Sequence, residues 1–133
     1  MNYNKIFIEG SAFICVFTID PAKRDQFVEL FDDLWTRFIP TMERDTNFVF
    51  YGWGRDPNQF YCVESWQSEE ATNAVRAEPF FQQRVGELID CCAAPMQLTI
   101  LSGMRSDRSV FDLYPVGQSE LHPNTESNTS VFV

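Results

Sequence analysis

Tyr51, Glu64 and Trp66 offer a phenol, a carboxylate and an indole N–H within one short aromatic-rich stretch. Burial among aromatic rings raises a carboxylate's pKa, which lets it take a proton from a weakly acidic phenol near neutral pH. A tyrosine hydroxyl can hold a ligand oxygen, and the indole N–H is a third polar handle. These three are the candidate catalytic residues. A structural reading stays open beside this one. Glu64 can simply pair with an arginine or a helix N-terminus, which a strand-centre carboxylate needs in order to be tolerated, and Trp66 can be core.

Whether the three meet depends on the hairpin that carries them. Residues 48–68 read FVFYGWGRDPNQFYCVESWQS, two β-type runs flanking Asp56-Pro57-Asn58-Gln59. Pro57 presets φ for a turn, and Asp56 and Asn58 can bond their own backbone. With those four residues as the loop, Arg55 pairs with Phe60, Trp53 with Cys62, Tyr51 with Glu64 and Val49 with Trp66. One face then carries Tyr51, Trp53, Glu64 and Trp66, because side chains alternate across a strand. A slip of one residue would send Tyr51 to the face opposite Glu64. Gly52 and Gly54, opposite Val63 and Tyr61, make room for a cross-strand aromatic.

Neither face of this hairpin is polar, so each needs a cover. Residues 11–19 (SAFICVFTI) read as a buried strand. Asp20-Pro21 reads as an N-cap followed by proline at the first helical position. The helix it opens places Phe27, Leu30, Phe31, Leu34, Trp35 and Phe38 on one stripe, and Pro40 is expected to end it. Ser68 caps a second helix, with Glu69 and Glu70 in its first turn. Pro79 opens a third, striped by Phe81, Val85, Leu88, Ile89 and Cys92, and residues 96–104 form a fourth strand.

The order β-α-β-β-α-β, with the second α broken in two, is the ferredoxin-like α+β arrangement: a four-stranded antiparallel sheet with helices on one face. With Tyr51, Glu64 and Trp66 under the helices, the expected pocket has aromatic walls from Trp53, Phe27, Phe31 and Trp35. Arg84, with Arg55 and Arg76, can reach its rim. The other sheet face is also apolar, and a second copy of the chain is the simplest cover for it. Residues 1–104 are therefore read as a domain and 105–133 as an extension. In the extension, the apolar run at residues 110–114 is expected to dock on the core or the partner subunit.

Composition narrows the partners. The chain has 133 residues and a net charge of −9, with only ten Lys and Arg, which argues against nucleic acid and anionic membrane surfaces. Aromatic residues make up 15 %, a surplus that suits a flat ligand or a subunit interface. No run is long enough to span a membrane and no secretory signal is visible, so a cytoplasmic protein is expected. The four cysteines form no CxxC and there is one histidine, His122, in the polar tail, so no metal is expected. Cys91 and Cys92, read as neighbours on a helix, point about 100° apart, a poor geometry for a disulfide.

Several segments also resemble a known family. Asp20-Pro21-Ala22-Lys23-Arg24-Asp25-Gln26-Phe27 resembles its Pro-Gly-Lys-x-x-x-Phe helix opening. The run from Phe60 to Ala71, with Glu64-Ser65-Trp66-Gln67-Ser68-Glu69-Glu70-Ala71 at its end, is similar to its Glu-x-Trp-x-Ser-x-Glu-Ala signature. Pro79-Phe80-Phe81 resembles its small-Pro-x-Phe element. This is the antibiotic biosynthesis monooxygenase domain of the dimeric α+β barrel superfamily. The resemblance implies a homodimer with a pocket between sheet and helices in each subunit. It also implies a cofactor-independent monooxygenase acting on a flat aromatic such as a quinol or anthrone, with no metal or flavin. The alternative is a non-catalytic small-molecule-binding or regulatory homodimer of the same fold. Many relatives carry a histidine in the helix after the Glu-x-Trp strand; Val75 stands at that position here, which argues against the haem-degrading branch.

Overall fold

The structure, a computed structural model, describes residues 11–103 and the backbone of two short strands at 121–123 and 130–132. The chain divides into two compact units, Met1–Gly103 and Met104–Val133. In the first, β1 (Ser11–Thr18) leads through a single 3-10 turn (Pro21–Lys23) to α1 (Arg24–Asp45), then β2 (Thr46–Trp53) and β3 (Gln59–Trp66). The helices α2 (Glu69–Arg76) and α3 (Pro79–Asp90) and the strand β4 (Gln97–Ser102) follow. The sheet order is β2-β3-β1-β4, antiparallel throughout, which is the ferredoxin-like α+β fold. In the second unit, β5 (Leu121–Pro123) pairs antiparallel with β6 (Ser130–Phe132). The apolar segment at 110–114 lies outside the described residues.

Local chemistry sets the element ends. The Asp20 carboxylate accepts from the Ala22 N–H at 3.0 Å, so the Asp-Pro opening starts the 3-10 turn and α1 continues from it. Ser68 Oγ accepts from the Ala71 N–H at 3.1 Å, the N-cap of α2. Pro40 does not end α1, contrary to the sequence expectation; the helix runs on to Asp45. Its missing N–H would have bonded the Thr36 carbonyl, and both residues are exposed, so water can take that acceptor. Continuing the helix also buries Met42 in the core. Cys91 caps α3 and Cys92 bridges to Ile19, so these two lie beyond the helix, not on it.

The hairpin register differs from expectation by two residues. Trp53 pairs with Phe60, Tyr51 with Cys62 and Val49 with Glu64. The loop keeps four residues but moves back by one, to 55–58, because the Gly54 N–H bonds the Gln59 carbonyl at 2.8 Å and the Asn58 N–H bonds Asp56 Oδ1 at 2.9 Å. The loop is also pinned from outside. Ile19 N–H donates to the Asn58 carbonyl at 2.8 Å, Arg24 Nε donates to the Pro57 carbonyl at 3.2 Å, and the Arg24 guanidinium lies 3.8 Å over Trp53. An even shift leaves the faces intact, so Tyr51, Glu64 and Trp66 stay together. At the far end a bulge at Asn47 moves the ladder by one, and Asn47 Nδ2 donates to Ser65 Oγ and to the Trp66 carbonyl.

Phe27 is the centre of the core, edge-on to Phe17 and Phe60 at 5.2 and 5.4 Å. Leu34, Phe38, Val75 and Leu88 complete the helical side. Two glycines give opposite expectations. A Cβ at Gly54 would lie 2.6 Å from Tyr61 Cε2, so Gly54→Ala is expected to destabilise by about 1–3 kcal/mol. Gly86, inside α3, has open space around it, so Gly86→Ala should stabilise by about 1 kcal/mol through helix propensity. Melting temperatures moving in opposite directions would check both.

Candidate functional site

The three candidate catalytic side chains form one hydrogen-bonded unit. Glu64 Oε1 accepts from the Tyr51 hydroxyl at 2.8 Å, and Glu64 Oε2 accepts from Trp66 Nε1, also at 2.8 Å. Tyr51 reaches Glu64 diagonally, since its direct partner is Cys62. Glu64 is 2 % exposed and Trp66 1 %. Burial pushes the Glu64 carboxyl above its usual range, opposed by the bonds from Trp66 and Tyr51 and by the charge of Arg76. Burial, with the Glu64 charge beside it, also raises the Tyr51 phenol, so Tyr51 stays protonated and donates. The arginine or helix terminus considered for Glu64 in the structural reading is replaced by Tyr51 and Trp66.

Glu64 and Trp66 line a cavity of about 170 Å³ between the sheet and all three helices. Phe13, Cys15 and Phe17 of β1 and Cys62 of β3 form its floor; Phe31, Leu34 and Trp35 of α1 one wall. Thr72, Val75 and Arg76 of α2 and Phe81, Val85 and Leu88 of α3 form the others, with Met96 and Leu98 at the β4 side. Of the residues expected to bind a ligand, Phe31 and Trp35 therefore line it. Phe27, Trp53 and Arg84 do not. Phe27 is closed inside the core, and Trp53 packs on Phe60 and under Arg24 outside the cavity. Arg84 ties α1 to α3 through Asp33 at 2.9 Å and Glu87 at 2.8 Å. Tyr51 is not in the cavity wall; it bonds Glu64 and stacks on Trp35 with ring centroids 5.6 Å apart.

Arg76, expected only at the rim, lines the cavity, and Thr72, which the sequence does not single out, lines it as well. The apolar signals in α2 are short, and only the turn set by Ser68 decides which residues face inward. Thr72 is buried and its hydroxyl bonds the Ser68 carbonyl. Cys15 and Cys62 are directly opposed across β1 and β3, both thiols free. Among the described residues no three His, Cys, Asp or Glu side chains cluster to hold a metal ion.

A family profile described as antibiotic biosynthesis monooxygenase matches residues 12–86. The chain belongs to the antibiotic biosynthesis monooxygenase family. The match covers β1 to α3, and so contains the Tyr51–Glu64–Trp66 unit and most of the cavity wall. A search of curated protein sequences gave no match. Solved structures share the fold. A conserved protein from Methanosarcina mazei Go1 is similar at a TM-score of 0.67 and 13% identity, covering 77% of this chain and 99% of its own. Rv0793 from Mycobacterium tuberculosis follows at 0.62 and 20%, covering 72% and 96%. A variant of SnoaB, described as a cofactor-independent oxygenase from Streptomyces nogalater, matches at 0.60 and 16%, covering 73% and 95%. Among the described residues no helix is long and apolar enough to cross a membrane.

Proposed function

We propose that this antibiotic biosynthesis monooxygenase family member is a cofactor-independent monooxygenase acting on a small hydroxylated aromatic such as a quinol. The observation that carries this reading is the buried Glu64 carboxylate in the cavity wall, oriented by two donors and raised in pKa by burial. Glu64 would take the phenolic proton, and the phenolate would give one electron to O2. The superoxide and substrate radical then join as a C–O bond at a ring carbon. Loss of that carbon's proton and cleavage of the O–O bond leave a hydroxyquinone and one water, so a quinol and O2 balance a hydroxyquinone and H2O. Apolar walls keep the anion from water, which suits electron donation. An engineered cavity of about 150 Å³ holds benzene, so one ring with substituents fits this volume better than a three-ring anthrone.

A non-catalytic binding role is the second reading, favoured because both Glu64 oxygens are already engaged. Oxygen uptake on methylhydroquinone above its autoxidation, with one ¹⁸O from ¹⁸O2 in the product, separates the two. Binding without uptake would sink the oxygenase reading.

The family fold also suits a homodimer. Phe48, Phe50 and Leu101 lie on the sheet face turned from the helices and are 46%, 65% and 45% exposed. A second copy packed on this face would cover them. Sedimentation at micromolar concentration is expected to give twice the chain mass, unchanged by reductant; a stable monomer would refute it.

A further inference from the structure

We propose that Arg76 is the residue that selects the ligand's charge, and that the cavity takes a single aromatic ring bearing a carboxylate. This deepens the aromatic-substrate reading above and rests on it for the ring.

Arg76 sits at the C-terminal end of α2 and lines the cavity. Its guanidinium lies 5.1 Å over the Phe13 ring, so an aromatic face supports it where a carboxylate would ordinarily do so. The described ion pairs are Arg44–Asp45, Arg84–Asp33 and Arg84–Glu87; Arg76 is in none of them. Glu64 and Arg76 feel each other's charge but form no ion pair. Both Glu64 oxygens are held by Tyr51 and Trp66, and burial favours the protonated carboxyl. A planar guanidinium fork with no acceptor among the described residues, at the wall of a mostly apolar cavity, matches a carboxylate that can meet it with two parallel hydrogen bonds.

A second donor points the same way. The Trp35 indole N–H is buried and has no hydrogen-bond partner among the described residues, although Trp35 lines the cavity. A buried donor without an acceptor is costly, and a ligand oxygen can satisfy it. Among the described residues, Arg76 and Trp35 are thus donors without acceptors. The ligand must bring the oxygens, and the strongest acceptor at the Arg76 position is an anionic one.

The test uses ligands that cannot turn over, so that it does not depend on oxygenase activity. Benzoate and its neutral isostere benzamide are titrated into the full chain and followed by NMR. Benzoate is expected to bind about 10-fold tighter or more, the margin a charge-assisted bidentate pair supplies. Arg76→Gln should remove that preference, with benzoate losing about 10-fold or more in affinity and benzamide much less. Arg76→Lys should keep the preference at reduced size and guards against a folding defect in the glutamine variant. Equal affinities in the wild type, a preference that survives Arg76→Gln, or no binding of either probe at millimolar concentration would overturn the proposal. An intact benzoate preference with no oxygen uptake would refute only the oxygenase reading.

Discussion

Glu64→Gln is expected to lower quinol turnover by about 100-fold or more while leaving ligand affinity nearly unchanged, as loss of a general base does. The geometry makes this substitution clean. Glutamine Oε1 can accept from Trp66 Nε1, and its amide N–H can donate to the Tyr51 hydroxyl, which can accept as well as donate. Both partners stay satisfied, and only the base and the charge are lost. Stability supplies an independent reading of the same variant. The folded-state pKa of Glu64 is raised, so its contribution to stability is fully present below the unfolded carboxyl range and is lost as pH rises through the folded pKa. The glutamine variant has no such loss. Its melting temperature should therefore gain on the wild type as pH rises, while wild-type turnover should increase over the same interval as the base form appears. Unchanged turnover in Glu64→Gln would remove the acid–base assignment and leave the fold untouched.

Trp66→Ala should be the most destabilising single change in the site, costing about 3–5 kcal/mol. The indole is 1 % exposed, packs where the Asn47 bulge ends the β2–β3 ladder, and gives Glu64 one of its two donors. Trp66→Phe separates packing from hydrogen bonding. It keeps most of the ring but leaves Glu64 Oε2 without its donor, and should cost about 1–3 kcal/mol. Losing a bond that favours the charged form should also push the Glu64 carboxyl higher, moving the rise of activity to higher pH. Denaturant midpoints and a pH–rate profile measure both effects; an unmoved profile in Trp66→Phe would mean that Glu64 is not the titrating base.

Much of this site was legible in the sequence because its logic is periodic. Alternation alone puts Tyr51, Glu64 and Trp66 on one face, and that conclusion survives any even error in register. The difference is even because the loop keeps four residues and moves by one: the Gly54–Gln59 bond encloses 55–58 where 56–59 is expected. Asp20 and Ser68 signalled their helix starts because a short side-chain acceptor beside free N–H groups has little other use. Pro40 misled because the cost of proline inside a helix depends on whether the lost acceptor faces water, which no local pattern reveals. Arg76 was visible only as a rim candidate among three arginines. Its selection comes from tertiary contacts, since Arg84 pairs with Asp33 and Glu87, whereas among the described residues Arg76 forms no ion pair and lies over the Phe13 ring. Trp53 and Phe27 share the right faces with the cavity residues but sit too far along their elements to reach it.

The pinning of the β2–β3 loop by Ile19 and Arg24 also bears on traffic between the cavity and bulk water. That end of the sheet is closed by the Asn58–Ile19 and Pro57–Arg24 bonds and by a guanidinium laid over Trp53. The β4 edge differs: among the described residues β4 pairs with β1 alone, and Leu98 and Ile100 on its helix side are exposed. Amide hydrogens at Ile19 and Gly54 should therefore exchange slowly and those of β4 quickly. Leu98 lines the cavity and is 44% exposed, so bulk added there is expected to slow ligand release, which a dissociation-rate measurement would check.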